Sequence, residues 1–514
     1  MGFLRQILRG RQHQQLAEQV AEGYMPMPIS PHLQQNITDL QHIFSMAPGF
    51  VVRFFQIKAT GQEAALVYMN ELSDHKSIND NVLYPLMHES NPANMSVEHM
   101  ITVGYLWSCS DLLQVEAAIL QGRSAIFVEG VRSAEILNTQ GWPQRAIEDP
   151  ALEASLKGSH QGFVETGSQN VALIRRFIPN RELKIKTFIV GRRGQTKLSL
   201  MYLADVMNPQ ILQEMEDRIQ QIDVDAIINS GELEELLEDN PYSPFPQFAM
   251  TERPDSVASQ ILQGRMAIVV DRSPGVLIAP TTFSTFFQSV DDYSIRWQVS
   301  SFLRLMRFGA FIVTIFLPSI YIAVISFNFE VIPLRLLLSV GESRGNVPLP
   351  PILEALIMEV TLEMLKEAGV RLPAPIGQTV GIVGAIVIGQ ATVQAGVVSN
   401  IMVIVVALTG LASFIIPNHD MSATIRLIRF PMMIIASIYG LLGVGVGFIV
   451  MVGHLISLES LGTPYLSPIS PLRLADWKDT FVRLPLWKMK KRPLSVKPVQ
   501  ENRYGQNHHS KDEH

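Results

Sequence analysis

The stretch FGAFIVTIFLPSIYIAVISF, from Phe308 to Phe327, decides the fold of this 514-residue chain. It contains no ionisable side chain over about twenty residues, the length that a helix needs to cross the hydrocarbon core of a bilayer. Before it, charged and apolar residues are mixed as in a soluble domain. After it, long segments carry no charge. The two parts of the chain therefore face different solvents, and the sequence predicts an integral membrane protein.

Further spans follow in the second part. Residues 372–418 contain no charged side chain, and this length fits two spans with a tight polar turn near Ser399-Asn400. A fourth span is predicted from Phe430 to about Leu455. Its glycines are small residues that let helices pack closely in lipid; they are Gly440, Gly443, Gly445 and Gly447.

The segment 352–369 has a different pattern. A helical period places its charged side chains on one face, while most of the rest is apolar; these are Glu359, Glu363, Lys366 and Glu367. Such a face favours an interfacial or re-entrant helix over a lipid-exposed span. Glu354 points to the other, apolar side. Two interpretations stand equally: a pore or vestibule carboxylate, or a carboxylate favoured in a first helical turn by the helix dipole.

Basic residues indicate the orientation. Arg304 and Arg307 precede the first span, and the run from Lys488 to Arg492 follows the last one. The excess of lysine and arginine on the cytoplasmic side predicts that both termini are cytoplasmic, which requires an even number of crossings. With four crossings, Arg426 and Arg429 fall on the outer side.

The first part of the chain contains an internal repeat. ILQGRSAI, Ile119 to Ile126, recurs as ILQGRMAI, Ile261 to Ile268. In each copy a helix is predicted to end at a glycine, Gly122 or Gly264, and a strand follows at once. Two related α/β subdomains are the simplest interpretation.

Strand-like runs fill these subdomains. Residues 49–57 and 64–72 predict one pair of strands, and residues 181–191 and 196–206 predict a hairpin. Helices are predicted near residues 33–44 and within 208–239. The fold class is thus an α/β cytoplasmic region of two related subdomains, followed by an α-helical polytopic membrane domain. The predicted parts are an N-terminal arm and helix (1–44), the subdomains 45–150 and 160–300, the membrane domain 308–458 and a basic cytoplasmic tail (471–514).

Composition excludes several classes of function. The formal net charge is −6, and no basic stripe interleaved with aromatic residues is found, so nucleic acid is not an expected partner. The single cysteine, Cys109, excludes an intramolecular disulfide and a cysteine-cluster metal site. The basic start lacks a secretory apolar run, so no cleaved signal is expected. We expect no metal, no cofactor and no catalytic residue.

Two patterns invite a functional interpretation. Gly341-Glu-Ser-Arg-Gly345 matches a G-x-S-x-G nucleophile elbow, but proline-rich sequence follows instead of a helix and Ser343 has no evident triad partners, so a chance match is favoured. On the helix predicted from Ile376, one stripe of small and polar residues suits either a water-facing surface or a helix-facing one. It consists of Thr379, Val383, Val387, Gln390 and Gln394.

Four longer stretches resemble the GerA family of spore germination proteins, specifically the A subunits of nutrient germinant receptors. They are residues 162–178, 245–280, 372–400 and 457–471. Two stretches depart from the family pattern: SHQGFVET, where the family has an arginine-containing motif, and SFNFEVIP, where a histidine is usual. These departures leave a SpoVAF-type germination-amplifying paralogue as an alternative.

The resemblance implies a cytoplasmic two-part domain and a multi-pass membrane domain in the spore inner membrane. It implies a transporter-like B subunit and a lipoprotein C subunit as partners, and homo-oligomerisation around a nutrient-gated ion pore within membrane lipid. On this basis the stripe from Thr379 to Gln394 is predicted to line the pore, and Glu354, Glu359 and Glu363 its vestibule. The competing prediction is a non-conducting scaffold that couples a nutrient-binding partner to a separate channel.

Overall fold

The computed structural model describes residues 27–88, 100–141, 159–372, 384 and 389–503. These residues form two compact units that do not follow chain order. The first comprises Met1–Leu237, Met250–Ile278 and Lys497–Glu501; the second comprises Glu238–Ala249, Ala279–Val496 and Asn502–His514. Residues 279–300 thus cluster with the second unit. The domain boundaries proposed from the sequence remain a prediction.

Among the described residues of the first unit, the first helix is α1, Leu33–Ile43, as predicted. A five-stranded sheet follows, in the order β1-β2-β4-β5-β3. Its strands are β1 (Phe50–Gln56), β2 (Glu63–Met69), β3 (Leu106–Cys109), β4 (Ser124–Val128) and β5 (Ala134–Leu137). Strands β1 and β2 form the predicted pair; they are antiparallel, with Phe50 opposite Met69 and Gln56 opposite Glu63. Short helical segments, His75–Ser77, Ile78–Leu83 and Tyr84–His88, lead from β2, and helix α2, Leu112–Leu120, precedes β4.

A second five-stranded sheet has the same topology, β6-β7-β9-β10-β8. Its strands are β6 (Leu183–Val190), β7 (Thr196–Leu203), β8 (Ala249–Thr251), β9 (Met266–Val270) and β10 (Val276–Ala279). Its helices are α3 (Gly167–Phe177), α4 (Pro209–Gln221), α5 (Ser230–Leu237) and α6 (Pro254–Ile261). The α/β class with two related subdomains is therefore confirmed.

The repeat takes the predicted form in both sheets. Helix α2 ends before Gly122, whose φ is 84°, and helix α6 ends before Gly264, whose φ is 94°. Glycine adopts this left-handed conformation without steric cost. Strands β4 and β9 follow directly and are buried along their whole length. They occupy equivalent central positions, where both faces of the sheet are covered.

The second unit is mainly helical. Its helices are α7 (Trp297–Ser326), α8 (Leu334–Arg344), α9 (Pro351–Arg371), α10 (Asn400–Ile415) and α11 (His419–Ser457). Strands β11 (Glu459–Ser460) and β12 (Thr463–Pro464) form a two-stranded antiparallel ribbon. Short 3-10 helices lie at Phe283–Phe287, Val290–Tyr293, Phe329–Val331, Asp476–Asp479, Leu486–Lys488 and Leu494–Val496.

Two helices among the described residues, α7 and α11, are long and apolar enough to cross a membrane. Helix α7 starts eleven residues before the predicted first span and ends one residue earlier than predicted. On α11 several large apolar side chains are mostly exposed, such as Leu442 at 82% and Ile449 at 69%. Much of the segment 372–400, for which further spans are predicted, lies outside the described residues.

The predicted fourth span is not one continuous helix. Gly440 in α11 has φ 62° and ψ −145°, so the backbone leaves helical geometry there. The side-chain oxygen of Asn328 accepts a hydrogen bond from the freed Leu441 N–H at 3.4 Å. The sequence assigned Gly440 to close helix packing, and a Cβ there would indeed lie 3.0 Å from Phe327 Cβ; the break in the helix at this residue was not predicted. Gly447 does pack closely: a Cβ there would lie 2.5 Å from Met432 Sδ.

Candidate functional site

The acidic residues predicted on helix α9 meet two arginines of α11. Arg429 Nη1 lies 2.9 Å from Glu359 Oε2, and its Nη2 lies 3.0 Å from Glu363 Oε1. Arg426 Nη1 lies 2.9 Å from the other oxygen of Glu363. The Arg429 and Glu359 side chains are completely buried. Ionised groups in such a site are stable only when they are paired, so these contacts hold α9 and α11 together.

Glu359 is the least satisfied member of this group. Both of its oxygens are buried, and neither has a hydrogen-bond donor among the described residues. The approach of Arg429 is therefore close enough for an ion pair but does not have hydrogen-bond geometry. Glu363 contacts both Arg426 and Arg429, whereas the ion pair of Glu359 is with Arg429. Loss of Arg429 should therefore destabilise the Glu359 carboxylate more than the Glu363 carboxylate.

Lys366 completes the group. Its ammonium donates to Ser413 Oγ at 2.9 Å and lies 4.4 Å from the ring centroid of Phe414, both on α10. We call Glu359, Glu363, Lys366, Arg426 and Arg429 the charge cluster. It contains three basic and two acidic side chains.

Glu367 does not belong to the charge cluster. Its side chain is 65% exposed and pairs with Arg371 of the same helix. The four charges predicted on one face therefore occupy different environments. Burial separates Glu359 from Glu367, although both lie on α9.

Glu354 forms a separate contact. It is fully buried; one oxygen lies 3.1 Å from Arg344 Nη1 of α8, and the other accepts from the Ser399 N–H at 3.0 Å. Ser399 in turn caps α10, because its hydroxyl accepts from the Met402 N–H at 3.3 Å. Glu354 thus ties the end of α8 and the start of α9 to the start of α10.

A second buried network lies at the start of α7. Arg304 Nε donates to Asp292 Oδ2 at 2.8 Å, and its Nη1 donates to Asp479 Oδ1 at 2.9 Å. Arg307 also contacts Asp292, and the Tyr293 hydroxyl donates to Asp479 at 2.7 Å. Arg304 is fully buried. This network fastens the 476–483 segment to α7, so Arg304 and Arg307 do more than mark the orientation of a span.

The predicted pore stripe is only partly described. Thr379, Val383 and Val387 lie outside the described residues. Gln390 and Gln394 lie on a helical turn before Ser399, and both side chains are exposed. The side chains of Gln390 and Gln394 are thus available to contact water, lipid or another copy of the chain.

Ser343 does not have nucleophile-elbow geometry. It lies in the last turn of α8, whereas the elbow requires a serine on a turn that leads from a strand into a helix. Among the described residues, no group of three or more histidine, cysteine, aspartate or glutamate side chains is arranged to hold a metal ion.

Sequence reasoning identified the carboxylates but missed their partners. Arg426 and Arg429 were used only for orientation, and Arg344 was not considered. A signal was present: two arginines three residues apart in an apolar helix match two glutamates four residues apart on another helix.

The chain is similar to several spore germination proteins. A family model described as Bacillus/Clostridium GerA spore germination protein matches residues 38–495. The chain is 39% identical to spore germination protein KA of Bacillus subtilis (strain 168), covering 94% of this chain and 90% of that protein. It is 40% identical to the uncharacterized membrane protein YfkQ of the same organism, and the match covers 92% of this chain and 93% of that protein.

A solved structure covers part of the chain. It is the crystal structure of the N-terminal domain of the A subunit of the Bacillus megaterium spore germinant receptor GerK3. The identity is 27%, the match covers 51% of this chain and 99% of that one, and the TM-score is 0.40.

Proposed function

Because the chain belongs to the GerA family of spore germination proteins, we propose that it is the A subunit of a nutrient germinant receptor. Copies of it assemble into a nutrient-gated ion channel in the spore inner membrane. The chain crosses that membrane several times, with both termini in the cytoplasm. Its partners are a transporter-like B subunit and a lipoprotein C subunit.

The charge cluster carries this proposal. Buried ionisable side chains occur in the same unit as α7 and α11, the helices long and apolar enough to span a bilayer. Charged residues among such helices are costly, and they are retained where they line an ion pathway or control its opening. The Glu359–Arg429 pair joins two helices, so a rearrangement that separates α9 from α11 must break it.

The pore itself is assigned to the stripe from Thr379 to Gln394. Around a symmetry axis, Val383 and Val387 form stacked apolar rings, which close a channel by excluding water from a narrow passage. Gln390 and Gln394 supply amides that face the water-filled part. The proposed vestibule comprises Glu354, Glu359 and Glu363 of α9, of which Glu354 and Glu359 are buried within the single chain and pair with Arg344 and Arg429.

Three other functions compete with the channel. In one, the chain is a non-conducting scaffold that couples a nutrient-binding partner to a separate channel. In the second, it is a SpoVAF-type paralogue that amplifies germination. The third is a membrane-bound hydrolase using Ser343, and the position of Ser343 in the last turn of α8 disfavours it.

Spores carrying Val387→Ala test the channel. A smaller side chain widens and wets the constriction, so these spores release monovalent ions without nutrient. A helix-packing role predicts instead a lower protein level, because truncation leaves a cavity. Gln390→Leu is the companion variant and should depress ion release after nutrient is added. Normal protein levels together with ion retention equal to that of wild type until nutrient arrives would refute the pore assignment.

A further inference from the structure

One edge of the first subdomain is covered by a segment that follows closely in the chain. The turn after β2 presents Leu72 and Asp74, and residues 139–141 lie against it. The Gly141 N–H donates to the Leu72 carbonyl at 3.0 Å, and the Asp74 N–H donates to the Thr139 carbonyl at 2.8 Å. Because residues 139–141 begin two residues after β5, the first subdomain covers this edge with its own local sequence.

The second subdomain has an equivalent edge. Val206 lies three residues after β7, as Leu72 lies three residues after β2. Asn208 and Asp74 each accept a hydrogen bond from the N–H two residues further on, and so cap the helix that follows. The residues that follow β10, however, belong to the second unit. The counterpart of residues 139–141 is therefore supplied from elsewhere in the chain.

Residues 497–501 supply this counterpart. Although they follow all the helices of the second unit, they belong to the first unit. The Val499 N–H donates to the Val206 carbonyl at 2.8 Å. The Asn208 side-chain amide donates to the Lys497 carbonyl at 3.1 Å. In both subdomains the covering segment thus accepts a hydrogen bond at one residue and donates another from the backbone two residues later.

Pro498 lies between these two hydrogen-bonding residues and is buried. A Cβ at Gly264 would lie 3.2 Å from both Pro498 Cβ and Val206 Cγ1, so the proline packs against the glycine of the second repeat. In the first subdomain Gln140 takes this place, and its side chain donates at 2.7 Å to the carbonyl of Gln121, the residue before the first repeat's glycine. The covering segments therefore occupy equivalent positions in the two subdomains.

We propose that this edge of the second subdomain is an acceptor site for an extended peptide, and that residues 497–501 of the same chain are its ligand. The site recognises a backbone carbonyl, then a small apolar residue, then a backbone N–H; main-chain hydrogen bonds of this kind bind extended peptides at exposed edges. The contact is small, so its occupancy depends on the tether, which supplies an effective concentration on the order of millimolar. The segment is therefore separable from the sheet, and the proposal does not depend on whether the chain conducts ions.

Hydrogen–deuterium exchange of the full-length chain in detergent tests whether the segment is bound. The Val499 N–H should be protected in wild type. Asn208→Asp keeps an oxygen that caps α4 but removes the amide that donates to Lys497, so exchange at Val499 should accelerate at least about fivefold. Asp74→Asn is the matched control, because it makes the reverse change in the first subdomain, where the bond comes from a backbone N–H. It should leave exchange at Val499 unchanged.

Peptide binding tests whether the segment is separable. A fluorescein-labelled peptide of residues 497–503 is titrated into the full-length chain and into a chain that ends at Val496. The truncated chain should bind the peptide at least about tenfold more tightly, because its acceptor site is empty. A chain that ends at Arg503 is the control for truncation and should behave as the full-length chain does. Full-length Pro498→Gly, which loses the buried ring, provides a second open acceptor in case the truncated chain does not fold.

Three results would overturn the proposal. The first is exchange of the Val499 N–H in wild type as fast as in the free peptide. The second is unchanged exchange in both Asn208→Asp and Pro498→Gly. The third is that neither the truncated chain nor Pro498→Gly binds the peptide more tightly than wild type does at concentrations up to about 5 mM, the range that a tether supplies.

Discussion

Replacing Arg429 tests the energetic importance of the charge cluster. Arg429→Gln removes the cation that lies 2.9 Å from Glu359, and both side chains are fully buried. Breaking a buried pair by removing one partner costs about 3–5 kcal/mol, because the other charge is left in a low-dielectric site. Glu359 makes no hydrogen bond that could compensate among the described residues, which places the expected loss toward the upper end of this range.

Equilibrium unfolding of the purified chain by SDS in mixed micelles measures this loss. The double variant Arg429→Gln/Glu359→Gln removes both charges. Its loss of stability should therefore be smaller than the sum of the two single losses, by about 2–3 kcal/mol. Arg371→Gln is the control, since its partner Glu367 is 65% exposed and such a pair contributes only about 0–1 kcal/mol. If Arg429→Gln loses no more stability than Arg371→Gln, the charge cluster does not hold α9 to α11.

Two further predictions use the same purified protein. Gly440→Ala should lose about 1–3 kcal/mol in SDS unfolding, because its backbone angles exclude a side chain and a Cβ would lie 3.0 Å from Phe327 Cβ. Gly445→Ala is the control, because no atom lies within 4 Å of its added Cβ, and it should be neutral or slightly stabilising. Equal losses of stability in the two variants would contradict the helix break at Gly440. Burial raises the pKa of the Cys109 thiol to about 12, so at pH 8 iodoacetamide should alkylate the native protein roughly a thousandfold more slowly than the unfolded chain. Equal rates would contradict the burial of Cys109.

Local sequence patterns predicted the first unit well. The helix, the glycine and the strand of each repeat are adjacent in sequence, so Gly122 and Gly264 could be assigned to left-handed positions without knowledge of distant contacts. Strand pairing across a short turn, as between β1 and β2, is also a local property. The matching order of the two sheets then follows from the repeat.

Long-range contacts in the second unit could not be predicted in this way. Glu354 does lie in the first turn of α9, as one of its two interpretations predicted. Its partners, Arg344 and the backbone of Ser399, 45 residues away, were not predicted. The break at Gly440 depends on Asn328, which lies 113 residues from Leu441. A helical period determines which residues share a face. It does not determine which face of another helix they meet.

Ion flux through the purified chain is the most direct test of the proposed channel. Proteoliposomes containing wild type, Val387→Ala or Val387→Ala/Gln390→Leu are loaded with a potassium-sensitive dye, and the oligomeric state of each sample is measured in the same detergent. We predict that oligomeric Val387→Ala conducts monovalent ions without nutrient, that wild type stays closed, and that the added leucine reduces the flux. An oligomeric Val387→Ala sample that conducts no more than empty liposomes would contradict the channel and favour the non-conducting scaffold.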